Sequence, residues 1–190
     1  LFRSSASLAT VEAQLRQDAS ITLLVNNAGI GTHTPLLASD VETMTRMVAL
    51  NVTAPMRLAY AAAPAFVARG HGLIINIASW AGRYASVLTG PAYNATKRAV
   101  IAVSESINTE ECVNGIRATS ILPGEVATPI LEKRPVPPSQ EERARMAQAE
   151  DLGKAILFVA QMPARTCVNE LVIAPTWNRF YVGGLEAPKS

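Results

Sequence analysis

The chain is poor in residues that staple or charge a protein. Of its 190 residues only two are cysteine and two are histidine. Cys112 and Cys167 show no metal-ligand spacing and form no disulfide framework, so they suit a reducing compartment and a cytoplasmic location. His33 and His71 have no partner at ligand spacing and read as ordinary surface residues, so no metal is expected. Charged residues make up 17% of the chain, the net charge is +2 and the basic residues are scattered. There is no polyanion footprint, and nucleic acid is not an expected partner. No apolar run approaches the roughly 18 residues of a membrane span, so no membrane partner is expected either. Aromatic residues are only 5% of the chain, yet Trp177, Phe180 and Tyr181 crowd into the tail 176–190. That is too aromatic for exposed coil, and the tail is expected to dock on something.

What is present is a globular balance, 49% apolar, long enough for a single domain over 1–190 with a sizeable core. Four short runs rich in Ile, Val and Leu stand out: "ITLLV" (21–25), "LIINIA" (73–78), "ATSIL" (118–122) and "ELVIA" (170–174). The first three lack clean alternation and read as strands buried on both faces. Helical spacing fills 5–18, 40–69, 91–112 and 150–162, with a Ser39-x-x-Glu42 capping box opening the second. Strands alternating with helices imply an α/β fold, a parallel sheet with right-handed crossovers. Residues 132–148, proline-rich and then Glu/Arg-rich, read as a mobile surface flap with a short helix; the run at 141–145 is a solvated face.

In such a sheet, ligands gather beyond the carboxyl ends of the strands. The first strand runs into Asn26-Asn27-Ala28-Gly29, the second into Ser79 and the third into Pro123-Gly124. Each group can be an ordinary turn; together they line one rim. In "YNATK", Tyr93 and Lys97 stand at i and i+4, one helical turn apart on one face. A free phenol, with a pKa near 10, is a poor base at neutral pH. A nearby ammonium lowers that value, and a proton-transfer group works best near the working pH. The pair therefore makes sense as an acid/base unit, with Ser79 holding a substrate oxygen beside the phenol. The bland alternative is a solvated helix face. Within 40–69, Pro55 has no N–H for the carbonyl of Asn51, which is free to hold a water; the alternative is a plain kink. Tyr60 and Tyr84 read as packing or rim residues.

"LLVNNAG", "NVTAP", "IINIASWAG", "YNATKRAV" and "IRATSILPGEVATP", in this order, resemble the short-chain dehydrogenase/reductase (SDR) family over about residues 5 to 175. The resemblance implies a Rossmann-like doubly wound parallel sheet flanked by helices and binding NAD or NADP. It implies catalytic roles for Tyr93, Lys97, Ser79 and Asn51: acid/base, the lysine that lowers its pKa and holds the nicotinamide ribose, the serine that orients the substrate oxygen, and the carbonyl that holds a relay water. It implies that Asn26, Ala28 and Gly29 steady the sheet and border the adenine-side ribose of the cofactor, and that Pro123, Gly124, Val126 and Thr128 meet the nicotinamide, alongside Tyr93 and Lys97. It also implies a homodimer or homotetramer through the helix at 91–112.

Three departures stand out. The family's opening strand and its Thr-Gly-x-x-x-Gly-x-Gly turn are not in this sequence, which reads as N-terminally incomplete, with the first strands of the sheet missing. Trp80 follows Ser79 where a smaller residue is expected. The Ser79–Tyr93 gap is about one residue longer than usual for the family, which makes Ser86 the reserve candidate. The reading is an NAD(P)-dependent oxidoreductase interconverting a small alcohol and its ketone or aldehyde by hydride transfer. The alternatives are a non-catalytic Rossmann scaffold or cofactor sensor binding a protein partner, and an isomerase or dehydratase on the same fold.

Overall fold

The four apolar runs become four parallel strands in one sheet, ordered β1-β2-β3-β4. They are β1 (Leu23–Asn26), β2 (Gly72–Ile77), β3 (Ile116–Pro123) and β4 (Glu170–Ile173). In this computed structural model the described residues are 5–32, 34–85, 88–133, 136–178 and 181. The helices are α1 (Ser5–Gln17), α2 (Val41–Val48), α3 (Ala54–Arg69), α4 (Trp80–Arg83), α5 (Pro91–Glu111), α6 (Gln140–Arg145) and α7 (Ala149–Ala160). The arrangement corresponds to one wing of a doubly wound sheet, with β1 at one edge and Leu23 36% exposed.

Burial on both faces explains the runs of β2 and β3, whereas β1, at the edge and expected to be buried on both faces, buries Leu24 and Asn26 and leaves Leu23 exposed. Leu24, Ile74, Ile116 and Ala118 face α1 and α3, meeting Leu8, Leu15, Leu58 and Phe66. Leu73, Ile75 and Ile121 face the other way, onto Leu152, Ile156 and Val159 of α7. Nearer the rim, Ala78 and Leu122 pack on Val100 and Ile101 of α5. Because α7 covers the face opposite α3 and α5 while strand order keeps one direction, the β3–α7–β4 crossover has the opposite hand to the two before it. This corrects the uniform right-handed expectation. Where β2 and β3 begin, Gly70 and Gly115 end the preceding helical segments with φ of 75° and 74°. A Cβ on Gly115 would lie 2.1 Å from the Gly70 carbonyl oxygen, so the two turns pack at backbone distance.

The helical stretch 40–69 is broken in an instructive way. Its cap is Asp40, not Ser39: the Asp40 carboxylate accepts from the Thr43 N–H at 2.7 Å, while the Ser39 hydroxyl donates to the Pro35 carbonyl at 2.9 Å. From Ala49 to Thr53 the chain widens into a π turn. Pro55 cannot donate to the Asn51 carbonyl, and the bond into Ala49 now comes from the Ala54 N–H, five residues on. The bulge leaves Asn51 1% exposed, inside the protein. Among the described residues no helix is long and apolar enough to cross a membrane.

Candidate active site

The rim at the carboxyl ends of β1, β2 and β3 opens into a cleft of about 600 Å³. Ser79 ends the second strand segment and caps α4, its hydroxyl accepting from the Ala81 N–H at 3.2 Å. The same hydroxyl shares a hydrogen bond with the Tyr93 phenol. Tyr93 and Lys97 sit in the first two turns of α5 and both line the cleft. The Lys97 ammonium points inward, 5% exposed, donating to the Ile77 carbonyl at 2.8 Å and standing 5.7 Å from the Tyr93 ring centroid. The serine, phenol and ammonium thus converge. Ser86 lies outside the described residues.

The electrostatics differ from the expectation of a phenol lowered by its lysine. Burial pushes the Tyr93 phenol above its ordinary value, and the hydrogen bond with Ser79 offsets this only in part. Burial also brings Lys97 down to about 8. Both groups lose water, and desolvation favours the neutral form of each. Lys97 donates its bond to the Ile77 carbonyl, and, brought down to about 8, it has lost its charge before the phenol titrates and so does not lower Tyr93.

Asn51 acts through its side chain. Its Oδ1 accepts from the Ile30 N–H at 2.9 Å, and its Nδ2 donates to the Ile30 carbonyl at 2.8 Å and the Thr96 hydroxyl at 3.2 Å. The amide thus pairs with the backbone of the loop after β1 as another strand would. Thr96 in turn donates to the Tyr93 carbonyl at 3.0 Å. Thr96 was not singled out from sequence, although its place between Tyr93 and Lys97 was a signal. Nor was Gly31, where a Cβ would stand 3.0 Å from Cδ2 and Cε2 of Tyr93. At Gly29 a Cβ would stand 3.3 Å from Asn51 Oδ1 and 3.4 Å from Lys97 Nζ. Both glycines let the loop close on Tyr93, Asn51 and Lys97.

Behind the cleft runs a buried polar row. Asn26 and Asn76 are register partners on β1 and β2, and Asn76 and Ser120 on β2 and β3. Asn26 Nδ2 donates to Asn76 Oδ1 at 2.8 Å, Asn76 Nδ2 to the Ser104 hydroxyl at 2.9 Å, and the Ser120 hydroxyl to Ser104 at 2.8 Å. This row fixes three strands against α5. Asn26 thus steadies the sheet, as expected of its stretch, and is not among the residues that line the cleft; Asn27 lines it, and Ala28 is exposed and not among the lining residues. Gly29, Pro123, Gly124, Val126 and Thr128 do line it.

The flap carries the expected short helix, α6, opened by a Ser139–Glu142 capping box. Its far end is stitched to the segment after β3: the Ala127 N–H bonds the Ala147 carbonyl at 2.9 Å, and the Ala147 N–H bonds that of Glu125 at 3.1 Å. Of the aromatic tail, Trp177 lies beneath the Arg145 guanidinium at 5.4 Å, and Tyr181 meets Trp80 edge-on at 5.6 Å. Phe180 and His33 fall outside the described residues. Tyr60 is 73% exposed under Arg16, with 5.7 Å to the ring centroid. Among the described residues no three His, Cys, Asp or Glu side chains come together as a metal site.

A family model described as short chain dehydrogenase matches residues 3–137. The chain belongs to the short-chain dehydrogenase family. It is 30% identical over 155 residues to an uncharacterized oxidoreductase of Staphylococcus epidermidis, covering 82% of this chain and 65% of that relative. It is similar to the solved short-chain dehydrogenase from Sphingobium yanoikuyae in complex with NADPH, with TM-score 0.74 and 32% identity, covering 96% of this chain and 68% of that one. It is also similar to a bulky-bulky ketone specific alcohol dehydrogenase from Comamonas testosteroni, with TM-score 0.71 and 30% identity, covering 98% and 72%. Short-chain dehydrogenase relatives thus share the sheet and helices that carry Asn51, Ser79, Tyr93 and Lys97 here.

Proposed function

We propose that the protein is an NAD(P)-dependent oxidoreductase interconverting a small alcohol and its ketone or aldehyde, with Tyr93 as acid/base. The observation that carries this is the convergence of Ser79, Tyr93 and Lys97 in one cleft at the strand ends. The rim fits the nicotinamide end of a dinucleotide. Gly29, Gly31 and Gly124 keep the walls at backbone level, where a Cβ would crowd Asn51 at 3.3 Å, Tyr93 at 3.0 Å and Ala174 at 3.2 Å. Tyr93, Lys97, Pro123, Gly124, Val126 and Thr128 would hold NAD or NADP, with Gly29 alongside. Bound there, the nicotinamide supplies or accepts a hydride.

The chain's own residues handle the proton. In reduction, the buried phenol is held protonated at neutral pH, the form that donates from Oη to the carbonyl oxygen. The Ser79 hydroxyl holds that oxygen. The Asn51 carbonyl, which Pro55 cannot bond, steadies the water through which Lys97 refills the phenol. Small outward residues of α5, Ala95 and Ala102, leave room for a second copy of the chain in a homodimer or homotetramer.

Replacing Tyr93 by Phe tests the assignment. Turnover should fall by at least the roughly 10²-fold typical of a lost proton-transfer group, while nicotinamide fluorescence reports cofactor binding close to wild type. Wild-type alcohol oxidation should rise with pH, because the raised phenol must ionise to accept the proton, and the variant should lose that rise. Turnover near the wild-type level in Tyr93→Phe would remove the role. Cofactor binding without turnover of any alcohol or ketone would favour the scaffold reading.

A further inference from the structure

Trp80 is the residue that the family resemblance did not prepare for, and the structure uses it heavily. It follows Ser79 directly, opens α4, lines the cleft and is 8% exposed. Among the described residues, two aromatic rings pack on it. Tyr84, from the end of α4, stacks tilted against the indole with centroids 4.6 Å apart. Tyr181, from the segment after β4, meets it edge-on at 5.6 Å and 70°. Tyr84 and Tyr181 are themselves 52% and 64% exposed, so they are poor core residues; what they accomplish is to fix one indole in the wall of the cleft that Tyr93 also lines. The surrounding lining is apolar, with Ala81, Leu88, Ile130 and Leu131. Among the described lining residues only Lys97 and Glu125 carry charge, and the Lys97 ammonium is bonded to the Ile77 carbonyl. No described guanidinium faces the cleft to pair with a carboxylate or phosphate.

We propose that Trp80, braced by Tyr84 and Tyr181, is a specificity-determining wall, and that the substrate is a neutral alcohol or ketone bearing a planar apolar substituent such as an aryl ring. The substituent lies against the indole while its oxygen meets Ser79 and Tyr93. This rests on the redox reading above and adds the substrate class to it. An indole face adjacent to the reacting carbon favours a flat apolar group over an aliphatic one of equal reach through offset stacking, and it offers nothing to an anion.

The test compares acetophenone, butanone and pyruvate as substrates with either nicotinamide cofactor. Wild-type kcat/KM should rank acetophenone first and pyruvate last. Trp80→Leu should reduce the acetophenone-to-butanone ratio by about tenfold, mainly through the KM for acetophenone. Trp80→Phe should retain most of the ratio. Tyr181→Ala removes an exposed ring and leaves the core intact; it should lower the ratio by about threefold. A second readout needs no turnover. In a Trp177→Phe background Trp80 is the sole tryptophan, and acetophenone should quench its fluorescence saturably while pyruvate does not. Turnover with an unchanged ratio in both Trp80→Leu and Tyr181→Ala, or a wild-type preference for pyruvate, overturns the wall and leaves the redox reading standing. Absence of turnover with every alcohol and ketone overturns the redox reading and the proposal with it. Saturable quenching by acetophenone supports the wall; its absence counts against it.

Discussion

Lys97 is the group whose environment makes the boldest energetic claim. Its ammonium is 5% exposed and bonded to a single neutral carbonyl, that of Ile77 at 2.8 Å, with no carboxylate described against it. Burial brings it down to about 8 from the usual 10.5. That gap corresponds to about 3 kcal/mol of stability withheld while the lysine stays charged. The sign follows from proton counting. Between about 8 and 10.5 the unfolded chain binds the proton that the folded chain has released, so stability rises with pH across that window and is lost as pH falls through about 8. Lys97→Met keeps the stem and removes the charge. It also leaves the Ile77 carbonyl unpaired, at a cost of about 1–3 kcal/mol. At pH 7 the two effects nearly offset, and the variant should be as stable as wild type or slightly more so, though inactive. The decisive quantity is the difference between the two proteins in urea unfolding, followed from pH 7 to pH 10.5. Wild type should gain about 3 kcal/mol on the variant across this range, with the titration of every other group cancelling in the comparison. Parallel pH profiles would falsify the buried, uncompensated ammonium. A variant several kcal/mol less stable than wild type at pH 7 would mean that the charge is paired after all.

Two further changes probe the loop and the polar row. Gly31→Ala places a methyl 3.0 Å from the Tyr93 ring, so turnover should fall by about tenfold through a displaced phenol while urea unfolding shifts by less than about 1 kcal/mol; turnover unaffected by the methyl would show that the loop stands clear of Tyr93. Asn76→Leu strips partners from Asn26 and Ser104 inside the sheet and should cost about 2–4 kcal/mol in chemical denaturation, whereas a loss below about 1 kcal/mol would mean that the row is not a structural tie.

The relation between sequence and structure is clearest where the two disagree. The Ser39 capping box failed because Asp40 stands next to it and an aspartate caps at least as well; spacing cannot choose between adjacent candidates. Pro55 denies the Asn51 carbonyl its usual donor, as chain chemistry requires, but the side chain of the same residue found the Ile30 backbone, a partner that only the fold brings near. Trp80 registered as an odd residue in a motif, but its rings from Tyr84 and Tyr181 come from segments almost a hundred residues apart.

The sequence by itself determined the elements and the pairing of Tyr93 with Lys97. Apolar runs of strand length mark strands of a covered sheet, and an i, i+4 spacing places Tyr93 and Lys97 on one side of α5 whatever surrounds them. Only the tertiary structure decided the polar row from Asn26 to Ser120, the aromatic wall at Trp80, the hand of the last crossover and the direction in which Tyr93 titrates. Local spacing acts within a turn of helix or a pleat of strand, whereas desolvation and side-chain pairing depend on what another part of the chain brings within a few ångströms.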